Sequence, residues 1–355
     1  MRVGILTSGG DCQALNATMR GLALTLYRNV KDVEIIGFID GYKGLMYEKY
    51  KKMKPKDFYD ILNVGGSILG NSRCPFKRMR IIENGFDKVK VMKNTYKKLE
   101  LDCLVVLGGN GSIKSANMLS QEGLNVIALP KTIDNDAWGT DYTFGYSSAT
   151  AIATRYLDEI KTTAASHSRV FVIEVMGHKV GHICLSAGIA AGADVILLPE
   201  IPYDIKVVAK KVKETLKNEK NYAIIACAEG AISEADALMK RKDYKAKVLA
   251  RNGRSVAYEV ADELSQEIDA EIRVSCIGHA QRGGNPNSYD REISTRFGVE
   301  GARLIIKKHY GEYVVLQGNH VTHIPLEATA GKLKYVDTEG EIVQSAKLVG
   351  ISFGE

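Results

Sequence analysis

The sequence predicts an α/β protein made of two doubly wound, mainly parallel-sheet domains, and three observations predict it. Short runs that are apolar on both faces alternate with helical stretches along the whole chain. Strands of that kind belong to parallel sheets covered by helices on both sides. The repeated strand–helix order is that of a doubly wound sheet. At 355 residues the chain is too long for one ordinary core and fits two domains of typical size.

Taken in order, residues 3–6 form the first strand, which ends on a Gly turn and feeds a helix over 14–27. A strand follows at 34–39. The strand 103–107 leads through a second Gly turn into a helix over 113–121, and 126–129 is the next strand. The helix 147–161 precedes strands at 170–175 and 195–198. The helix 205–218 separates these from strands at 222–226 and 272–277. Each strand is bounded by Gly, Pro or polar residues, as short buried strands are. The most polar stretch, 240–254, reads as a surface helix or excursion. There is no internal repeat and no low-complexity tract.

Apolar residues make up 45% of the chain and charged residues 25%, the balance of a soluble globular protein. A chain this long buries a core without a disulfide or metal staple. The net charge of +6 is modest and suits an anionic ligand better than nucleic acid. No dense Lys/Arg stripe carries interleaved aromatics, and the lone Trp138 offers no stacking platform. No apolar run reaches the roughly 18 residues of a membrane span, and the first residues lack the apolar core of a signal peptide. Six cysteines are scattered with no CxxC pair, so reduced, mostly buried thiols of a cytoplasmic protein are expected.

The unusual residues fall where ligands bind in open parallel sheets, just beyond the carboxyl ends of strands. The first strand ends in Thr7-Ser8-Gly9-Gly10-Asp11, and the strand 103–107 in Gly108-Gly109-Asn110-Gly111-Ser112. Paired glycines admit a ligand close to the backbone, and the helix that follows offers free N–H groups to an anion. Either turn alone is weak evidence, because it also reads as a simple tight βα connection. Two of them, neither a Walker A loop, point to a phosphate-rich ligand held by backbone. A third turn reads Pro130-Lys131-Thr132-Ile133-Asp134-Asn135-Asp136. Its carboxylates and hydroxyl suit an Asx-capped loop, or a general base with a second carboxylate supporting it through magnesium or water. Phosphoryl transfer needs positioning, charge neutralisation and a group that orients the attacking hydroxyl, and these three turns contain all of them.

With those blocks in place, the chain resembles the phosphofructokinase family. LTSGGDCQALNA, GGNGS, PKTIDND, IEVMG over 173–177 and IGHAQRGG occur in the family's order, and the resemblance spans residues 1–296. It implies magnesium-dependent transfer of the γ-phosphoryl of ATP to the 1-hydroxyl of fructose 6-phosphate, a step of glycolysis. It implies a donor domain of 1–145 plus about 281–331 and a sugar-phosphate domain of 146–280 plus about 332–355, with the active site in the cleft between them. Asp134 is then the catalytic base, with Asp136 beside it and Thr132 at the transferred phosphoryl. The Gly10 N–H and Arg73 stabilise that group, and Cys74 and Arg78 lie with Arg73 along the donor. Gly109, Asn110, Gly111, Ser112 and Lys131 hold donor phosphates, with Asn110 and Asp136 at the metal. Arg169, Arg273, His279 and Arg282 bind the sugar 6-phosphate, and Met176, Gly177, His178 and Glu229 line the sugar. Arg169 and Arg273 come from a neighbouring subunit, so a homo-oligomer, dimer or tetramer, with shared sites is implied. Taken singly, each Arg reads as a surface ion pair and His279 as a structural histidine.

The sequence departs from the family pattern in ways that leave alternatives open. ATP users carry GGDG with PGTIDND, and pyrophosphate users GGDD with PKTIDND. This chain combines Gly111 of the first with Lys131 of the second. An Asp at 111 would set a carboxylate against the nucleotide's α-phosphate, so Gly111 favours ATP, with pyrophosphate as the alternative donor. Asn110 stands where an Asp is usual; its amide oxygen still suits magnesium but brings no charge. A non-catalytic sugar-phosphate-binding subunit is the reading that Asn110 favours, and other ketose phosphates stay open as acceptors. Leu24 replaces an effector-site Arg whose partner Arg20 remains, and His178 stands where a common relative has Arg. The segment between Glu229 and Arg273 is also longer than in short bacterial relatives, so ordinary effector control is not expected.

Overall fold

The structure, a computed structural model, describes residues 1–218, 220–329 and 331–355. The chain divides into two compact units, Met1–Ser148 with Arg282–Lys334, and Ala149–Gln281 with Tyr335–Glu355.

The first unit is built on a seven-stranded sheet. Its strands are β1 (Arg2–Ser8), β2 (Glu34–Phe38), β3 (Tyr50–Met53), β4 (Cys103–Gly108), β5 (Val126–Pro130), β10 (Glu312–Gln317) and β11 (His320–Pro325), in the order β11-β10-β5-β4-β1-β2-β3. β2, β1, β4, β5 and β10 run parallel. Antiparallel strands close both edges, β3 on β2 and β11 on β10. The sequence reading did not include these two edge strands or β10. β3 reads Tyr-Lys-Lys-Met with only Met53 buried, so it lacks the two-sided apolar signal of a central strand.

One face of this sheet packs Leu6, Ile36, Phe38, Leu104, Val106, Val126 and Ala128 against Ile113, Ala116 and Leu119 of the helix Asn110–Gln121. On the other face the helices Leu15–Asn29 and Ser288–Ile306 cross with backbones nearly touching. A Cβ added at Gly21 would sit 2.6 Å from the Thr295 carbonyl oxygen, so only glycine permits this approach.

The second unit carries a four-stranded, all-parallel sheet of order β7-β8-β6-β9. Here β6 is Val170–Val175, β7 Val195–Leu197, β8 Ala223–Ala228 and β9 Ile272–Cys276. Val170, Val172, Leu197, Ile225 and Cys227 pack under the helices Ile205–Asn218 and Val256–Ser265. The polar stretch 240–254 contains the helix Arg241–Ala250, which has no buried residue. It is tied down by Lys247 to Asp236 at 2.6 Å and Arg251 to Glu259 at 2.5 Å.

Candidate active site

Register places the three candidate turns side by side. In the parallel ladders Ser8 lies opposite Gly108, and Gly108 opposite Pro130, so β1, β4 and β5 end abreast. β1 connects onward to β2 on one side, and β4 to β5 on the other. The turns therefore sit at the switch point where open α/β sheets bind ligands.

The first turn is held by backbone. Gly9 has φ +90° and donates its N–H to the Ser72 carbonyl at 3.0 Å. That bond brings the segment carrying exposed Arg73, half-buried Cys74 and exposed Arg78 alongside the turn. Arg73 makes no ion pair among the described residues. Arg282 donates through Nη1 to the Asp11 carbonyl at 2.9 Å, and a Cβ at Gly10 would meet that guanidinium at 2.7 Å. Ser8 Oγ, Asn71 Oδ1 and Arg282 Nε are buried and lack hydrogen-bond partners among the described residues. Buried polar atoms are nearly always paired, so these three leave hydrogen-bonding capacity for a polar ligand beside the turn.

The second turn starts the helix Asn110–Gln121 on Gly109, and this helix begins three residues earlier than the sequence reading placed it. The Ser112 carbonyl is held by the Tyr42 hydroxyl at 2.8 Å. Tyr42 is fully buried, and sequence reading missed it because nothing local marks a core tyrosine as a support. A Cβ at Gly111 would meet nothing within 4 Å, so the space beside it is open. Asn110 donates through Nδ2 to the Lys332 carbonyl at 2.9 Å, a contact 222 residues away in sequence.

In the third turn Thr132 Oγ1 accepts the Asp134 N–H at 3.0 Å, and Thr143 Oγ1 donates to the Thr132 carbonyl at 2.8 Å. Asn135 sits at φ +54°, a left-handed conformation that Asn tolerates better than most side chains. Asp134 is half-buried, and Asp136 is buried at 8% exposure. Lys131 is buried, with its ammonium close to Gly9 and Gly109. Burial draws its pKa down, and Asp134 and Asp136 are among the groups that oppose this. Lys334, half-buried, is drawn down to about 8 by burial, and the charges of Asp141 and Asp136 oppose that shift.

In the second unit, β6 and β8 end abreast at Val175 and Ala228, which sets Met176-Gly177-His178 beside Glu229. The Glu229 carboxylate accepts the Gly177 N–H at 3.2 Å and the N–H of His178, whose φ is +54°. Met176 donates its N–H to Gln281 Oε1 at 2.9 Å, and exposed His279 follows β9 in the same region. Arg169 and Arg273 are not there. Arg169 immediately precedes β6, and Arg273 is the second residue of β9 and pairs with Phe171. At about 3.3 Å per residue, a six-residue strand separates its two ends by roughly 17 Å. Both guanidiniums instead close on Glu271, Arg169 at 2.7 Å.

No group of three or more His, Cys, Asp or Glu side chains converges as a metal cage among the described residues. A magnesium ion does not require one, because it binds through one or two carboxylates together with substrate phosphates. Asp136, with the amide oxygen of Asn110 in addition, fits that kind of site.

The family profile for phosphofructokinase matches residues 2–305. This chain belongs to the phosphofructokinase family. Among similar phosphofructokinases, the ATP-dependent 6-phosphofructokinase of Spirochaeta thermophila is 46% identical over 99% of this chain and 97% of its own length. The ATP-dependent 6-phosphofructokinase 3 of Bacteroides thetaiotaomicron is 42% identical over the full length of both. The phosphofructokinase structure from Saccharomyces cerevisiae superposes with a TM-score of 0.80 at 28% identity, over 93% of this chain and 45% of the yeast chain. This phosphofructokinase thus spans less than half of that yeast chain. The pyrophosphate-dependent enzyme of Nitrosospira multiformis shares the fold, with a TM-score of 0.81 at 20% identity over 96% of this chain and 87% of its own. The fold alone therefore does not separate the two donors.

Among the described residues no helix is long and apolar enough to cross a membrane.

Proposed function

We propose that this protein is an ATP-dependent 6-phosphofructokinase, transferring the γ-phosphoryl of ATP to the 1-hydroxyl of fructose 6-phosphate. The observation that carries the reading is the alignment of three turns at the ends of β1, β4 and β5, with open space beside Gly111. Relatives similar over their full length bear that name.

In this reading Asp134 takes the proton of the 1-hydroxyl as its oxygen bonds to the γ-phosphorus and the bond to the β–γ bridging oxygen breaks. ADP leaves, and fructose 1,6-bisphosphate remains. The Gly10 N–H, Arg73 and Thr132 meet the charge on the transferred group. The first turn of the helix at Gly109–Ser112 receives the donor phosphates, with Lys131 behind it and Cys74 and Arg78 along the donor. Asp136 and the Asn110 amide oxygen would hold a magnesium ion, which neutralises phosphate charge when bound. Met176, Gly177, His178 and Glu229 line the sugar, and His279 and Arg282 take its 6-phosphate.

Along the same sheet Arg273 stands roughly 17 Å and Arg169 roughly 23 Å from Glu229, too far to reach the same sugar from the same chain. The reading therefore includes a homo-oligomer in which a second copy supplies these two arginines. One observation favours a second donor reading: Lys131, buried beside Gly9 and Gly109, puts a cation where pyrophosphate would also bind.

The test supplies purified protein and magnesium with ATP or pyrophosphate, against fructose 6-phosphate, sedoheptulose 7-phosphate and tagatose 6-phosphate. Turnover of ATP with fructose 6-phosphate is expected. Turnover with pyrophosphate alone would replace the donor, and preference for another ketose phosphate would replace the acceptor.

A further inference from the structure

We propose that residues 332–334 are a positioning strap for the Thr132–Asp141 segment, and that Asn110 is the side chain that ties the donor helix to it. The proposal rests on the reading that Asp134 and Asp136 carry the chemistry.

Three consecutive residues lie along that segment. The Lys332 carbonyl accepts from Asn110 Nδ2 at 2.9 Å, and its ammonium sits 4.0 Å from the centre of the Trp138 ring. Leu333 pairs antiparallel with Ala137. Lys334 donates its N–H to the Asp136 carbonyl at 2.9 Å, and its ammonium donates to the carbonyls of Thr140 and Asp141, each at 2.9 Å. The loop needs such support. Asn135 is held at φ +54°, and left-handed residues persist only where their surroundings over-determine them.

The chemistry of the Lys332 contact specifies the residue at 110. A carbonyl oxygen only accepts, so its partner must donate, which also fixes which end of the amide faces it. An ionised aspartate at 110 has no proton to donate and would set two oxygens against each other. The amide N–H of Asn110 thus joins the first residue of the donor helix to the backbone that also grips Asp136. Helix start and catalytic loop are held at one spacing, through a contact made by neither of them alone. The spacing matters because a misplacement of about 1 Å at a reacting centre costs roughly a hundredfold in rate.

Lys334→Met and Asn110→Asp separate this proposal from its alternatives. Hydrogen exchange of residues 132–141 is measured first, on protein free of nucleotide and metal. Both substitutions should speed exchange there by about tenfold or more, without change in the strands of the second unit. With saturating substrates and magnesium, kcat should fall by roughly tenfold or more while KM for fructose 6-phosphate stays within about twofold. Lys334→Arg keeps a charged donor and should recover most of the loss. If Lys334→Met folds poorly, Asn110→Asp carries the test alone. Unchanged exchange in the substituted proteins would overturn the strap. So would an Asn110→Asp protein that keeps full kcat, since the Nδ2 bond to Lys332 would then hold nothing that the reaction needs. Wild-type protein that phosphorylates no fructose 6-phosphate would overturn the catalytic reading, and exchange would still decide the strap.

Discussion

Arg169 donates through Nε to Glu271 Oε2 at 2.7 Å, while Arg273 closes on the other oxygen of the same carboxylate. Two guanidiniums converging on one anion form the fork geometry that suits a phosphate monoester. The arginines hold Glu271 below the usual carboxylate range, so it stays ionised and occupies them. Glu271→Gln should therefore release the pair for the sugar 6-phosphate. Because the pair is exposed and screened, KM for fructose 6-phosphate should fall by only about two- to fivefold, with kcat unchanged. Steady-state kinetics at low ionic strength check this, and a raised KM would show that Glu271 orients the arginines instead of competing for them.

Placement of these arginines at the far end of the sheet from Glu229 yields a complementation test. Asp134→Ala and Arg273→Ala should each be nearly inactive alone. Mixed and allowed to exchange subunits, they should regain part of wild-type activity, because some hybrid sites carry neither defect. Size-exclusion and mass measurements establish that exchange took place, and absence of recovery after verified exchange would refute the shared site.

Asp134→Asn keeps the shape of the catalytic turn and removes the base. The N–H bond from residue 134 to Thr132 Oγ1 is made by backbone, so the turn should persist. The rate should fall by about two to four orders of magnitude, with fructose 6-phosphate still bound. Calorimetric binding alongside turnover checks it, and activity within about threefold of wild type would remove Asp134 from the role of base.

Gly111→Asp tests the donor. Nothing lies within 4 Å of a Cβ at 111, so the substitution should fold without strain and project its carboxylate into open space. Like charges repel strongly in a partly desolvated site. ATP-dependent activity should drop by roughly a hundredfold or more, while any pyrophosphate-dependent activity is spared. An equal loss with both donors would assign Gly111 to backbone geometry instead.

The cysteines make a prediction independent of any assay of turnover. Cys12, Cys103, Cys184 and Cys227 are buried, Cys74 is half-buried and Cys276 exposed. Burial pushes Cys12 up to about 12 and raises the others of that group as well. A thiol reagent at neutral pH should modify Cys276 and Cys74 in the native protein, and all six only after denaturation. Saturating ATP with magnesium should slow reaction at Cys74 alone, which peptide mapping would show. Protection at Cys276 but not at Cys74 would contradict the donor placement.

The sequence by itself determined the class of fold, the parallel strands of both units apart from β10, the glycine-rich turns at the strand ends and the family. Those features are written locally: two-sided apolar runs, paired glycines, and a block such as Thr132-Ile133-Asp134-Asn135-Asp136 that is legible without knowing its neighbours. Only the tertiary structure decided which distant residues meet. That Ser8, Gly108 and Pro130 end abreast is a matter of register, set by the pairing of β4 with β5 and with β1, whose partners Ser8 and Gly108 lie about a hundred residues apart. Tyr42 under Ser112, Arg169 on Glu271, and Lys332 holding Asn110 are contacts of single polar groups across long stretches of chain. Such contacts leave no periodicity, because one hydrogen bond needs only one donor and one acceptor brought within reach by a fold whose energy comes from the apolar residues elsewhere.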